Sequence, residues 1–189
     1  MPMSQLDTLI QNYDNHARLP WGQGRSPSER VWFLIYDKTK ERALLHRLEE
    51  FELRTKQAGH GWYLIDLTDA FPLWMAGQDY AEAYFQNPTK LSSAMLRQFR
   101  EDTLARIRKE LELIPDPGKT VVALKGVASL FGLIKVSEIV HPLAESVPGR
   151  LLVFFPGTHE NNNYRLLDAR DGWNYLAIPI TDREEGFDA

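Results

Sequence analysis

The chain contains no cysteine among its 189 residues. This absence excludes disulfide bonds, thiolate zinc sites, iron–sulfur clusters and cysteine nucleophiles, and it gives no indication of secretion. A long apolar run is also missing, because the stretch over residues 121–136 is interrupted by Lys125, Ser129 and Lys135. With no basic and apolar leader at the start, we expect a cytoplasmic protein that does not enter a membrane.

The chain has no excess of positive charge either, since its formal net charge at pH 7 is −4. It therefore lacks a global attraction to nucleic acid, and such binding would need a local basic patch. Hydrophobic and charged fractions of 43% and 25% are typical of a globular protein. The length favours one domain. We expect an N-terminal helix and loop over residues 1–30, a core over 31–180 and a frayed tail over 181–189.

The order of apolar patterns predicts an α/β fold. Short β-prone runs predict strands over residues 31–36, 62–67, 120–124 and 151–155, and helical periodicity predicts helices over 4–17, 39–58, 91–114 and 136–146. Pro156-Gly157 should end the fourth strand, and residues 164–167 and 173–178 should pair around a turn at Asp171-Gly172. This order predicts a three-layer Rossmann-like sandwich with a mainly parallel sheet and a C-terminal antiparallel hairpin.

The sequence contains no complete catalytic or metal-binding motif. Gly118-Lys119-Thr120 has the ending of a phosphate loop, but it follows a predicted helix and opens a strand, which is the reverse of the required context. The histidines show no compact ligand spacing. We therefore expect no metal, no cofactor and no catalytic residues.

Polar residues follow the predicted strands, at the edge of the sheet where ligands and partners of α/β proteins usually bind. Asp37 fits a helix N-cap better than a phosphate site, and Asp69 also fits a cap, although Asp66 and Asp69 could instead hold magnesium. His159 lies in a predicted polar loop, either as an exposed histidine or as a functional one. The candidate partner- or ligand-binding residues are Asp37, Lys38, Asp66, Gly157, His159, Asn163, Arg165 and Asp171.

Basic and aromatic side chains offer two further signals. The arginines over residues 97–109 alternate with acidic residues, a pattern typical of a solvated helix with internal ion pairs. Several aromatic residues do not follow core periodicity, and exposed aromatics often anchor protein interfaces. These residues are Trp21, Trp62, Trp74 and Tyr80.

The order of the motifs resembles the BrxB family of BREX phage-defence systems, of which this chain would be a divergent member. The resemblance is carried by residues 31–37, 61–69, 124–130, 152–157 and 164–167. It implies a small accessory protein that works beside a large ATPase and a PglZ-like phosphatase-fold protein, with no established catalytic residues. We therefore expect a non-enzymatic scaffold that binds other defence proteins. Two alternatives stay open: a degenerate nucleotide- or phosphate-binding protein that uses Asp37, Asp66 and His159, and a nucleic-acid-binding adaptor.

Overall fold

The sheet of this protein combines parallel and antiparallel strands, in a computed structural model that describes residues 3–22, 24–169 and 172–183. The strands are β1 (Val31–Tyr36), β2 (Gly61–Asp66), β3 (Thr120–Lys125), β4 (Arg150–Glu160), β5 (Asn163–Leu166), β6 (Trp173–Asn174) and β7 (Ile178–Ile180). The main path runs in the order β2-β3-β4-β1-β7 with all neighbours parallel, while β5 pairs antiparallel with β4 and β6. A mixed α/β fold is thus confirmed. β1 and β2 run in the same direction, as predicted, but β3 and β4 lie between them.

The helices are α1 (Gln5–Arg18), α2 (Glu41–His46), α3 (Leu48–Gln57), α4 (Ala70–Ala76), α5 (Ala81–Gln86), α6 (Ser93–Leu111) and α7 (Ser137–Ser146). The single helix predicted over residues 39–58 is wrong, because the chain leaves helical geometry at Arg47 and divides the segment into α2 and α3. The Arg47 guanidinium there bonds Asp7 at 2.7 Å and Glu50 at 2.6 Å. Among the described residues, no helix combines the length and apolar character needed to span a bilayer.

The sheet separates two hydrophobic clusters, because successive strand residues point to opposite faces. Phe33 belongs to the cluster that includes residues of α4, α6 and α7, whereas Trp32 and Leu34 belong to the cluster that includes residues of α1, α2 and α3. All six residues of β1 are buried. Burial on both faces explains why this strand has a continuous apolar run in place of alternation.

The predicted end of the fourth strand is wrong. β4 continues past Pro156-Gly157 to Glu160, turns at Asn161 and Asn162, and pairs antiparallel with β5. Both asparagines have positive φ, at 51° and 61°, as a two-residue hairpin turn with the favoured twist requires. We call this hairpin, residues 157–166, the arm. The loop predicted to carry His159 is therefore a strand.

Pro156 and Gly157 mark the point where β4 changes partner. Pro156 is the last residue of β4 opposite β1, and its carbonyl accepts a hydrogen bond of 2.8 Å from the Leu167 amide. Gly157 approaches the opposing strand so closely that an added Cβ would lie 2.0 Å from the Arg165 carbonyl oxygen. The residues that resemble a stop signal instead allow the strand to move from a parallel to an antiparallel neighbour.

The predicted C-terminal pair is confirmed only in its first half. Tyr164 lies opposite Trp173 in antiparallel pairing, but the last run forms β7, which is parallel to β1. Asp171, assigned to the turn, lies outside the described residues. The start of the predicted tail is held by α1. The side-chain amide of Asn12 donates hydrogen bonds to the carbonyls of Thr181 and Arg183, at 2.7 and 2.8 Å.

We expect Gly157→Ala to lower the free energy of unfolding by about 1–3 kcal/mol, because the added methyl group overlaps a backbone carbonyl that cannot move without disturbing the arm. Chemical denaturation would measure the change. Gly118→Ala is the matched control, since nothing lies within 4 Å of a Cβ added there. Equal stability of the two variants would contradict the close approach at Gly157.

Candidate functional site

The end of β1 is occupied by local capping. Asp37 accepts hydrogen bonds from the Thr39 amide at 2.8 Å and the Thr39 hydroxyl at 2.6 Å, which confirms the predicted N-cap, here of a short 3-10 turn over Lys38–Lys40. These bonds lower the pKa of Asp37. Lys38 forms an ion pair with Asp168 and so connects the end of β1 to the segment after β5.

The end of β2 forms a separate polar group. Asp66 accepts hydrogen bonds from the Thr68 amide at 2.9 Å and the Thr68 hydroxyl at 2.6 Å, and it pairs with Lys125 at 2.9 Å. Burial acts to raise the pKa of Asp66, but these partners together lower it. Asp69 occupies the N-cap position of α4 without a side-chain capping bond, so its predicted capping role is wrong.

Asp37 and Asp66 are not neighbours, because β3 and β4 lie between the strands that carry them. Each carboxylate is already engaged by its own turn. Among the described residues there is no group of three or more His, Asp or Glu side chains placed to hold a metal ion. The structure therefore does not bring Asp37 and Asp66 into one shared site.

A cleft of about 430 Å³ lies beside Asp66, between α4 and α6. Asp69, Trp74, Asp102 and Arg106 line it, and the Trp74 indole N–H donates to Asp102 at 2.8 Å. Sequence reasoning missed this cleft, because the two α6 residues look like the solvated face of a helix and nothing local shows that α4 lies against them.

The arm is fixed to the core by Tyr164, whose side chain is fully buried. Its hydroxyl donates to the Ala177 carbonyl at 3.0 Å, and its ring lies 4.5 Å from the Phe33 ring. His159 is half-buried against Tyr164, with ring centroids 4.4 Å apart. The prediction of an exposed loop histidine is therefore wrong. Burial lowers the pKa of His159, which favours a neutral imidazole in the folded protein.

Arg165 and Asn163 lie on one face of the arm and His159 and Tyr164 on the other, because alternate residues of a strand point to opposite faces. Arg165 is exposed opposite Thr158, and it makes no ion pair with any residue that the structure describes. Asn163, half-buried near the turn, has a buried side-chain oxygen that receives no hydrogen bond from the described residues. Gly157 lies at the base of the arm, where it permits the close strand approach. Of the predicted residues, Gly157, His159, Asn163 and Arg165 thus share one element.

An apolar cleft of about 380 Å³ opens at the base of the arm. Phe131, Leu133, Ile134, Leu166 and Trp173 line it, with Lys135 and Glu138 at the same cleft. Phe131 is 50% exposed. The sequence does contain a signal for this feature, the apolar run over residues 131–134 in a segment without helical or strand periodicity, but sequence reasoning did not use it.

The basic helix has the ion pairs that its sequence predicts. In α6, Arg106 pairs with Glu110 at 3.2 Å, and Arg100 reaches Glu138 of α7 at 3.1 Å. Two of its arginines are therefore neutralised locally. This leaves a weaker basic patch for nucleic acid than the arginine count suggests.

Comparison with known proteins gave no match: no protein-family model, curated protein or solved structure is significantly similar to this chain.

We expect His159 to make the stability of the protein depend on pH. Because its folded-state pKa lies below the ordinary value of 6.5, its contribution is present above pH 6.5 and is lost as the pH falls through the folded-state pKa. His159→Phe should therefore lose less stability than the unmutated protein between pH 7.5 and 5.5. Urea denaturation at both pH values measures the free energy of unfolding. The control is His46→Gln, a substitution of an exposed histidine. Identical pH slopes for His159→Phe and the unmutated protein would contradict the prediction.

Proposed function

We propose that this protein is a non-enzymatic scaffold of a BREX-type phage-defence system and that it binds other proteins of that system through the arm and the apolar cleft at its base. The observation that carries this proposal is a hairpin whose exposed Arg165 makes no ion pair among the described residues and is followed in sequence by Leu166, which lines an exposed apolar cleft. The resemblance in the sequence supplies the expected partners, a PglZ-like phosphatase-fold protein and a large ATPase.

The arm has the rigidity that a recognition element needs. Its first strand continues from the centre of the sheet, and Tyr164 anchors its second strand through a ring contact and a buried hydrogen bond. A surface that is already ordered loses little conformational entropy on binding. The arm can therefore bind a partner without first folding.

The chemistry of this surface indicates what it would contact. The cleft accepts an apolar or aromatic side chain, because Leu133, Leu166 and Trp173 line it. Arg165 is available to a carboxylate, since it has no ion pair among the described residues. Arginine and aromatic residues are the types that most often dominate interface energetics. We expect a partner segment with an acidic residue near an apolar one.

The contacts of the candidate carboxylates and of His159 support a function without catalysis. Asp37 and Asp66 accept hydrogen bonds from threonines in their own turns. The His159 ring packs against the Tyr164 ring and not beside a candidate nucleophile. A general base needs a reacting group within hydrogen-bond reach. We also propose that the fold is a Rossmann-like three-layer sandwich, supported by the parallel main path and by helices on both faces of the sheet.

We expect Arg165→Glu and Phe131→Ser each to weaken the complex with the PglZ-like protein or the ATPase by about tenfold or more, because one removes an ion pair and the other an apolar anchor. The loss is measured by co-purification from cells that also express the PglZ-like protein or the ATPase, followed by titration of the purified partner. Both side chains are exposed, so the variants should keep the stability of the unmutated protein.

Arg97→Glu and Phe85→Ser are the matched controls, since they remove the same residue types from exposed positions on α6 and α5. The controls should leave binding unchanged. If no complex forms with either partner at low salt, the scaffold role itself is contradicted. If the complex forms and tolerates both arm-side substitutions, the surface has been assigned to the wrong part of the molecule.

A further inference from the structure

A group of unsatisfied donors lies at the amino-terminal edge of the sheet, opposite to the arm. Arg150 is the first residue of β4 and is only 4% exposed. Within the described residues its guanidinium makes one hydrogen bond, from Nη1 to the Gly149 carbonyl at 3.0 Å. Among the described residues no carboxylate pairs with it, and the charges that act on it are those of Arg25 and Arg30. A buried arginine beside two further cations is an unusual arrangement, because buried charges are normally paired.

Aromatic rings compensate only part of this buried charge. The Arg150 guanidinium lies 4.7 Å from the ring centre of Trp21 and 5.8 Å from that of Trp32. Trp21 in turn stacks on His60, with ring centres 3.7 Å apart and planes inclined by 3°. A cation–π contact contributes less free energy than the burial of an unpaired ion costs. The rings hold the guanidinium in place without neutralising it.

Further donors near Arg150 also lack acceptors. The Trp21 indole N–H and the Nε–H of Arg30 are both buried, and neither has a hydrogen-bond partner in the part of the chain that the structure describes. Arg30 is held close by bonds from its other nitrogens to the carbonyls of Arg25 and Ala144, at 3.4 and 3.2 Å. Buried donors in native proteins are nearly always satisfied. The group therefore has an excess of donors and positive charge and a deficit of acceptors.

We propose that Arg150, Arg30, Arg25 and Trp21 form a binding site for a phosphate-type oxyanion, either free phosphate or the phosphate group of a small molecule. A tetrahedral dianion offers several acceptor oxygens to these donors and offsets two of the three arginine charges, whereas a single carboxylate would offset only one. Burial and the two neighbouring arginines lower the pKa of Arg150 to about 10, and a bound anion would act in the opposite direction by stabilising the charged guanidinium.

Thermal unfolding at fixed ionic strength tests the site with sodium phosphate, pyrophosphate and AMP. When the free ligand is tenfold above its Kd, a single site should raise Tm by about 3–6 °C in a saturable manner. Titration calorimetry with phosphate gives the Kd directly. A response to phosphate alone supports a free ion, and a response to AMP supports a phosphate group on a larger molecule. Acetate should have no effect, and a response to acetate as large as that to phosphate would overturn the assignment.

Two substitutions separate binding from folding. Arg25→Ala removes an exposed cation and should raise the Kd for phosphate about fivefold, whereas Arg97→Ala, an equal loss of charge on the other face of the sheet, should leave the Kd unchanged. Arg150→Met should be at least as stable as the unmutated protein without phosphate and should lose the Tm response. If the unmutated protein shows no saturable response, or if Arg25→Ala and Arg97→Ala respond alike, the site does not exist.

Discussion

The pairing of β1 with β4 is the interaction on which the rest of this structure depends. Their register places Val31 opposite Leu151 and Phe33 opposite Val153, and every residue of β1 is buried. Because alternate side chains enter opposite clusters, this one pair organises both layers of helices at once. β3 attaches to the outer side of β4 and β7 to the outer side of β1, so the sheet is built outward from these two strands.

The sequence predicts the elements whose signals are local. β1 has the bounds expected from its apolar run, and α6 begins after Ser92, whose hydroxyl caps it, within the span that periodicity predicts. Strand order was not predictable, because β1 pairs with residues more than a hundred positions later in the chain. The extension of β4 was also missed. Pro156-Gly157 has the composition of a stop, and only the approach of the Arg165 carbonyl explains why a glycine is needed there.

The candidate site is likewise predictable only where its residues are close in sequence. Proximity of Gly157, His159, Asn163 and Arg165 could be predicted because they are close in sequence, and the arm brings them together. The separation of Asp37 from Asp66 depends on strand order, which local patterns do not encode. Arg150 resembles an ordinary polar residue at the start of a strand. The aromatic rings around it belong to Trp21 and Trp32, more than a hundred positions earlier in the chain, so no local sequence pattern indicates its burial.

The length of β4 connects two surfaces that lie at opposite ends of this strand. Its 11 residues, at about 3.3 Å each, form a rod of about 35 Å that begins at Arg150 and ends at the tip of the arm. β1 and β3 both pair with residues 151–153 of this rod, and its two ends carry the two surfaces proposed for binding. One continuous backbone through the centre of the sheet therefore joins the two surfaces. β4 is thus at once the central strand of the core, the first strand of the arm and the covalent connection between two distant surfaces.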